Sequence, residues 1–371
     1  GKNPKSNLQF LTFLVTIIKA VYKHADLLAA SVASAGNAYR LGANEAPPAI
    51  ISVFIGSQMT EMLNLIEKKV TDNKMTPGEK TELKLNVIKV PQILLDNTDR
   101  NRTSPFAFTG DKFEFRAIGS SANCAAAMTV LNAAVAEQLK EFKRNVDKLI
   151  NKGVKKDEAI FQTIRQYIID SKAVRFEGNS YSEEWKEEAK KRGLSNITNV
   201  PEALDVYNTE QSLKLFTDLG IMTDREIQAR TNVRLDTYTK KVQIESRVLA
   251  DLALNNVIPT AIKYQTSLLE NVNGLKVLDD EKEYEELAGE RIELIKEISS
   301  HISNIKVKVN EMTEARKSAN KIEDEREKAG KYSTTIFKYL EDIRYHIDKL
   351  ELIVDDDIWP LPKYRELLFV G

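Results

Sequence analysis

Cysteine is nearly missing from this chain: Cys124 is the single one among 371 residues. One thiol excludes an intrachain disulfide framework and a cysteine-based zinc site, and it is compatible with a reducing compartment. Histidine is almost as scarce. His24, His301 and His346 stand far apart with no metal-ligand spacing, so each reads as a helix-surface residue rather than a ligand. Neither sign of charge is in excess. Lys and Arg number 54 against 55 Asp and Glu, and a net charge of −1 leaves no global field to select nucleic acid or an anionic membrane. The apolar run from Leu8 to Val21 is too short to span a bilayer, is interrupted by Lys19 and is followed by no small-residue cleavage site. It reads as a buried amphipathic helix. Also lacking are a Walker A loop, a GxGxxG fingerprint, an HExxH pair and any serine or cysteine triad signature.

What is there fits a soluble globular protein: 42% apolar and 29% charged residues, with enough length for two or three domains. The opening Gly1-Lys2-Asn3-Pro4 lacks an initiator methionine and runs straight into a core helix, so the chain reads as a fragment of something longer. Helical periodicity covers Leu8 to Ala33, with Leu11, Leu14, Val15 and Ile18 on one stripe, and stops at Ser34-Ala35-Gly36-Asn37. An irregular loop from Ala38 to Pro48 follows, then a strand-like Ala49 to Ile55 and a helix from Gln58 to Lys69. After an alanine-rich helix from Cys124 to Phe142 the pattern is helical almost throughout. It breaks at Gly153, restarts at an N-capping Ser182, and turns at Asn271 to Gly274. Two stripes close the chain: Ile292, Ile295, Ile298, Ile302, Ile305 and Val309, then Ile336, Leu340, Ile343, Ile347, Leu350 and Val354. The charged stretch Glu311 to Lys331 lies between them, which predicts an antiparallel helical hairpin.

Chemistry concentrates between Arg100 and Asn123. In Lys112-Phe113-Glu114-Phe115-Arg116 a period of two puts three charges on one strand face and two rings on the other. A carboxylate flanked by cations two residues away on each side favours its charged form, and the three groups can bind a cation together with its anionic ligands. Arg100 and Arg102 repeat the spacing with two more guanidinium forks. A plain salt-bridged surface strand is the competing explanation.

Taken together, the two charged elements resemble glutamine synthetase, in particular the large type III form of bacteria. The family pattern N-S-Y-K-R-L-x-P-G-Y-E-A-P is matched by Asn37-Ala38-Tyr39-Arg40-Leu41-Gly42-Ala43-Asn44-Glu45-Ala46-Pro47, and R-N-R-S followed by E-V-R is matched by Arg100-Asn101-Arg102-Thr103 and Glu114-Phe115-Arg116. The resemblance implies an α+β chain in two parts. Residues 1–142 would be the C-terminal half of the catalytic domain, an antiparallel sheet with packing helices, and residues 143–371 a mostly α-helical extension ending in the long hairpin. It implies ATP-dependent ligation of ammonia to the γ-carboxyl of glutamate through γ-glutamyl phosphate, with Mg²⁺ or Mn²⁺, in the cytoplasm. It further implies a ring-like homo-oligomer, a dodecamer in the full-length family, with no nucleic-acid or membrane partner.

By position, Glu45 resembles the flap glutamate that accepts a proton from ammonium, and Arg40 the arginine that holds the substrate α-carboxylate. Glu114 resembles a metal ligand, Arg102 and Arg116 the groups that neutralise the transferred phosphoryl and the γ-carboxyl, and Lys112 a nucleotide contact. Three departures stand out: Ala107 where the usual forms carry a further phosphate-binding arginine, a flap one residue shorter, and the remaining metal ligands upstream of Gly1. The fragment alone is therefore expected to be inactive. Competing readings are another carboxylate–amine ligase of the same fold and a non-catalytic helical assembly or regulatory protein.

Overall fold

A computed structural model describes residues 4–41, 50–68, 104–119, 122–277 and 281–368. Among the described residues the chain is mostly helical, with one small sheet, and it divides into two compact units, Gly1–Arg234 and Leu235–Gly371. The expected boundary at residue 142 falls inside a single helix of the first unit, α5 (Ala125–Asn151).

The first unit opens with α1 (Pro4–Lys23) and α2 (Ala25–Val32), joined at His24 where one continuous helix was expected. The predicted stripe is the core: Leu11, Leu14, Val15 and Ile18 are buried, and α1 packs on α5 and on α6 (Lys156–Asp170). Between α5 and α6 the chain turns at Gly153, whose φ of 84° is the left-handed geometry that ends helices and favours glycine. α3 (Ala38–Leu41), β1 (Val53–Phe54) and α4 (Ser57–Lys68) follow α2 in the chain. Of the strand-like run before α4 only Val53 and Phe54 pair, although Ile50 to Ile55 are buried throughout.

β2 (Phe106–Phe108) and β3 (Phe113–Phe115) complete a sheet of order β1-β2-β3. The sheet is mixed, correcting the antiparallel expectation: β2 pairs antiparallel with β3 but parallel with β1. The reason lies in the connections. β2 and β3 are linked by a hairpin through Gly110 (φ 106°), closed by Thr109 N–H donating to the Lys112 carbonyl at 2.9 Å. β1 and β2 are separated in the chain by α4 and residues 69–103, length enough for the connection that parallel pairing requires.

Ser182 caps α7 (Glu183–Lys191) as expected, accepting from Trp185 N–H at 3.2 Å. Trp185 stacks on Phe176 at 3.7 Å in the core beneath it. α8 (Val200–Asp205), α9 (Glu210–Asp218) and the start of α10 (Asp224–Leu252) complete the unit.

In the second unit α10 runs into a π-helical segment, Ala253–Val257, and then α11 (Ile258–Leu275), with Pro259 in its first turn. Proline has no N–H to donate to the preceding turn, and the π-helical segment lies in that turn. The turn expected at Asn271 to Gly274 is instead the end of α11, because Val272 is buried and carries the apolar period through it. α12 (Glu281–Ala319) likewise outruns its expected end: Met312 and Ala319 are buried and extend the stripe past Glu311. Only residues 320–324 and α13 (Glu325–Lys331), with the π-helical Tyr332–Ile336, separate it from α14 (Phe337–Ile353). On α14 Leu340, Ile343, Ile347 and Leu350 are all buried. Lys308 pairs with Asp342 at 2.9 Å, and His301 Nδ1 lies 2.9 Å from His346 Nδ1, so the contacts climb one helix as they descend the other. A short α15 (Tyr364–Leu367) ends the described chain.

Candidate active site

The pleat of β3 does what its alternation predicts. Phe113 and Phe115 meet Phe106 at 5.1 and 5.9 Å between ring centres, and Phe113 also meets Phe108 at 5.1 Å, so one face is an aromatic layer. That layer borders an apolar cleft of about 350 Å³ between α1 and α5, with Asp111 and Lys112 among its lining residues. The other face carries the charges. Arg116 donates from Nη2 at 2.7 Å and from Nε at 3.1 Å to the same oxygen of Glu114, and Lys112 Nζ stands 3.8 Å from the other. Ala107 lies directly opposite Glu114 in the register and is fully buried, so a methyl group packs beside this carboxylate.

Glu114 and Arg116 keep 36% and 28% of their side-chain surface exposed, which leaves the pair within reach of a ligand while holding the guanidinium plane. Glu114 is an oxygen donor of the kind Mg²⁺ or Mn²⁺ prefers. Among the described residues no group of three His, Cys, Asp or Glu side chains converges, so this carboxylate fits a divalent ion as one ligand among others and does not make a site by itself.

Of the other expected site residues, Glu45 and Arg102 lie outside the described residues. Arg40 is placed by its backbone in α3, and its side chain lies outside the description as well. The structure therefore brings together Lys112, Glu114 and Arg116.

Several residues missed in the sequence hold this arrangement. Asn37, 2% exposed, donates from Nδ2 to the Val32 carbonyl at 2.9 Å and to the Ala117 carbonyl at 3.0 Å, and its Oδ1 accepts from Gly119 N–H at 3.0 Å. One side chain thus fastens the end of α2 to the backbone just after Arg116. Arg116 N–H donates to the Pro105 carbonyl at 2.6 Å, fixing the strand from the other side. Ser52 and Ser104 are hydrogen-bonded at 2.9 Å, tying β1 to the entry of β2. Glu177 receives the N–H groups of Ile55 and Gly56 at 3.2 and 3.1 Å and the Thr60 hydroxyl at 2.7 Å, closing the start of α4 where an anion is favoured. Beside it, burial pushes the Arg175 guanidinium below its ordinary value, against the pull of the Glu67 and Glu177 carboxylates.

Of the three histidines, His24 is buried and not at the surface, while His301 and His346 are half-buried. His24 is 2% exposed and its Nε2 lies 2.7 Å from Glu137, whose carboxylate also meets Lys23 at 3.2 Å and accepts from Gln138 at 3.0 Å. Burial drives the Glu137 carboxyl up, but the hydrogen bonds from His24 and Gln138 and the nearby charges outweigh it and hold it at about 2. The partners are 113 positions apart in the chain, which no local pattern signals.

Residues 159–276 match the family described as glutamine synthetase C-terminal domain. Over 100% of its length the chain is 59% identical to a glutamine synthetase of Bacteroides fragilis (strain YCH46), covering 51% of that protein. It is 38% identical to the type-3 glutamine synthetase of Dictyostelium discoideum, again over 100% of this chain and 50% of the relative. A glutamine synthetase of Butyrivibrio fibrisolvens is 32% identical over 100% of the chain and 51% of its own length. The chain thus carries a stretch matching this C-terminal domain and is similar along its whole length to proteins named glutamine synthetase. Among these relatives the likeness to the type-3 form also extends along the whole chain. The chain spans about half the length of the curated relatives it matches. The family-model match contains none of the candidate site residues, all of which precede it.

Proposed function

We propose that this chain supplies part of the active site of a glutamine synthetase, an enzyme that uses ATP to phosphorylate glutamate at its γ-carboxyl and lets ammonia displace the phosphate, giving glutamine, ADP and phosphate. The observation that carries the reading is the 59% identity to a glutamine synthetase along the entire chain. The Glu114–Arg116 pair on β3 is the physical element nearest that chemistry. Phosphoryl transfer asks mainly for positioning and for neutralisation of charge on the transferred group. Arg116 suits that task because Glu114 already fixes the plane of its fork, so an arriving anion orders little more.

In this reading Arg102 and Arg116 neutralise the phosphoryl and the γ-carboxyl, Arg40 holds the α-carboxylate, and Lys112 contacts the nucleotide. Glu45 attracts ammonium and takes its proton once water is excluded. Glu114 is one ligand of a Mg²⁺ or Mn²⁺ ion, which when bound supplies charge neutralisation at the ATP phosphates. Residues 1–142 form the closing part of the catalytic domain. Residues 143–371 are the helical extension, with α12 and α14 its long antiparallel hairpin. The complete protein is a ring-like homo-oligomer in the cytoplasm, and this half alone is inactive.

The test uses the complete polypeptide. Glu114→Ala should cut metal-dependent glutamine formation by about 10²–10³-fold, the size seen when a transition-state electrostatic partner is removed. Glu45→Ala should slow the ammonia step and spare glutamate binding. Near-normal rates in both variants would remove the assignment of these residues.

A further inference from the structure

We infer that Asn37 is a positioning residue for Arg116, acting through the backbone that leaves β3. The inference rests on the reading above and adds a residue to which that reading gives no role.

The geometry is specific to an amide. Both donors of the carboxamide meet carbonyls, Val32 and Ala117, and its oxygen meets an N–H, Gly119. Two of the three partners lie one and three residues beyond Arg116, and the third terminates α2. The side chain is 2% exposed, so in the intact protein bulk water does not compete for these three partners. The Arg116 N–H itself donates to the Pro105 carbonyl on the preceding strand side. The Asn37 amide therefore sets where the strand goes after Arg116, and with it the angle at which the guanidinium leaves the sheet toward Glu114. An aspartate cannot replace it, since two carbonyls would then face a group with no hydrogen to give.

A residue that only stabilises the fold would lower stability and leave chemistry per folded molecule unchanged. Outer partners that orient a site residue typically cost 10-fold or more when lost. The discriminating experiment is a double-mutant cycle in the complete enzyme, read as kcat, with Asn37→Ala and Arg116→Ala singly and together. Gln138→Ala serves as control, because Gln138 is fully buried and its amide donates to Glu137 and Glu141 of its own helix, α5. Asn37→Ala should lower kcat about tenfold with little change in the KM for glutamate. Added to Arg116→Ala it should cost less than about twofold more, because the group it acts through is gone. Amide exchange at residues 113–119 should accelerate in Asn37→Ala and not in Gln138→Ala, a readout independent of turnover. Full additivity in the cycle, or an Asn37→Ala variant that loses only stability as Gln138→Ala does, would overturn the inference. An Arg116→Ala enzyme of undiminished kcat would instead overturn the parent reading, so the two failures are distinguishable.

Discussion

Converting Glu137 to glutamine removes a charge whose worth the structure lets us bound. In the folded chain the carboxyl sits at about 2 rather than 4.5, because hydrogen bonds from His24 and Gln138 and the charges of His24 and Lys23 exceed the opposing cost of burial. At about 1.4 kcal/mol per unit, that displacement caps the contribution near 3 kcal/mol. The side chain keeps 23% of its surface exposed, and solvent screening reduces the expected value to about 1–2 kcal/mol. The sign follows from linkage: the folded value is depressed, so the stabilisation is fully present above pH 4.5 and is lost as pH falls toward 2. Denaturant titrations of the wild-type chain and Glu137→Gln should therefore differ by about 1–2 kcal/mol at pH 7. The gap should narrow steadily below pH 4.5. A gap of the same size at pH 7 and pH 3, or no gap at pH 7, would refute the role given to the His24–Glu137 contact.

The second unit should respond to acid in its own range. His346 is held below its ordinary value of 6.5 by burial first and then by the charges of His301 and Lys308, against Asp342, so the unfolded chain binds the proton more readily. Thermal stability of the wild type should fall as pH drops from 8 through 6.5 toward 5, and His346→Leu should flatten that slope. Replacing the α7 cap, Ser182→Ala, should cost about 1 kcal/mol in denaturant titration, because it removes the acceptor for Trp185 N–H.

Periodic features were legible in the sequence. The Leu11–Ile18 stripe, the α14 stripe, the break at Gly153, the Ser182 cap and the two-faced Phe113–Phe115 strand are each set by neighbours within a turn or two, where side-chain spacing alone decides which face is buried. What failed was non-local. Whether β1 runs parallel or antiparallel to β2 depends on the crossover, and His24 and Glu137 or His301 and His346 meet only through helix packing. Length estimates erred where a polar segment carried a buried residue, as at Val272 and Met312, because charge on one face does not end a helix whose other face remains apolar. At the candidate site the Lys112-Glu114-Arg116 face was readable by alternation. Asn37 was not, since its partners lie 80 and 82 residues away and are backbone groups with no residue identity to detect.

In the proposed function, glutamate is activated at its γ-carboxyl by phosphoryl transfer before nitrogen attacks. Supplying the complete enzyme with glutamate labelled with ¹⁸O in that carboxyl, together with ATP and ammonia, tests it most directly. The account predicts that one labelled oxygen appears in each inorganic phosphate released and that Arg116→Ala slows this transfer in step with glutamine formation. Phosphate whose fourth oxygen comes from solvent and carries no label, with glutamine still formed at the wild-type rate, would contradict it.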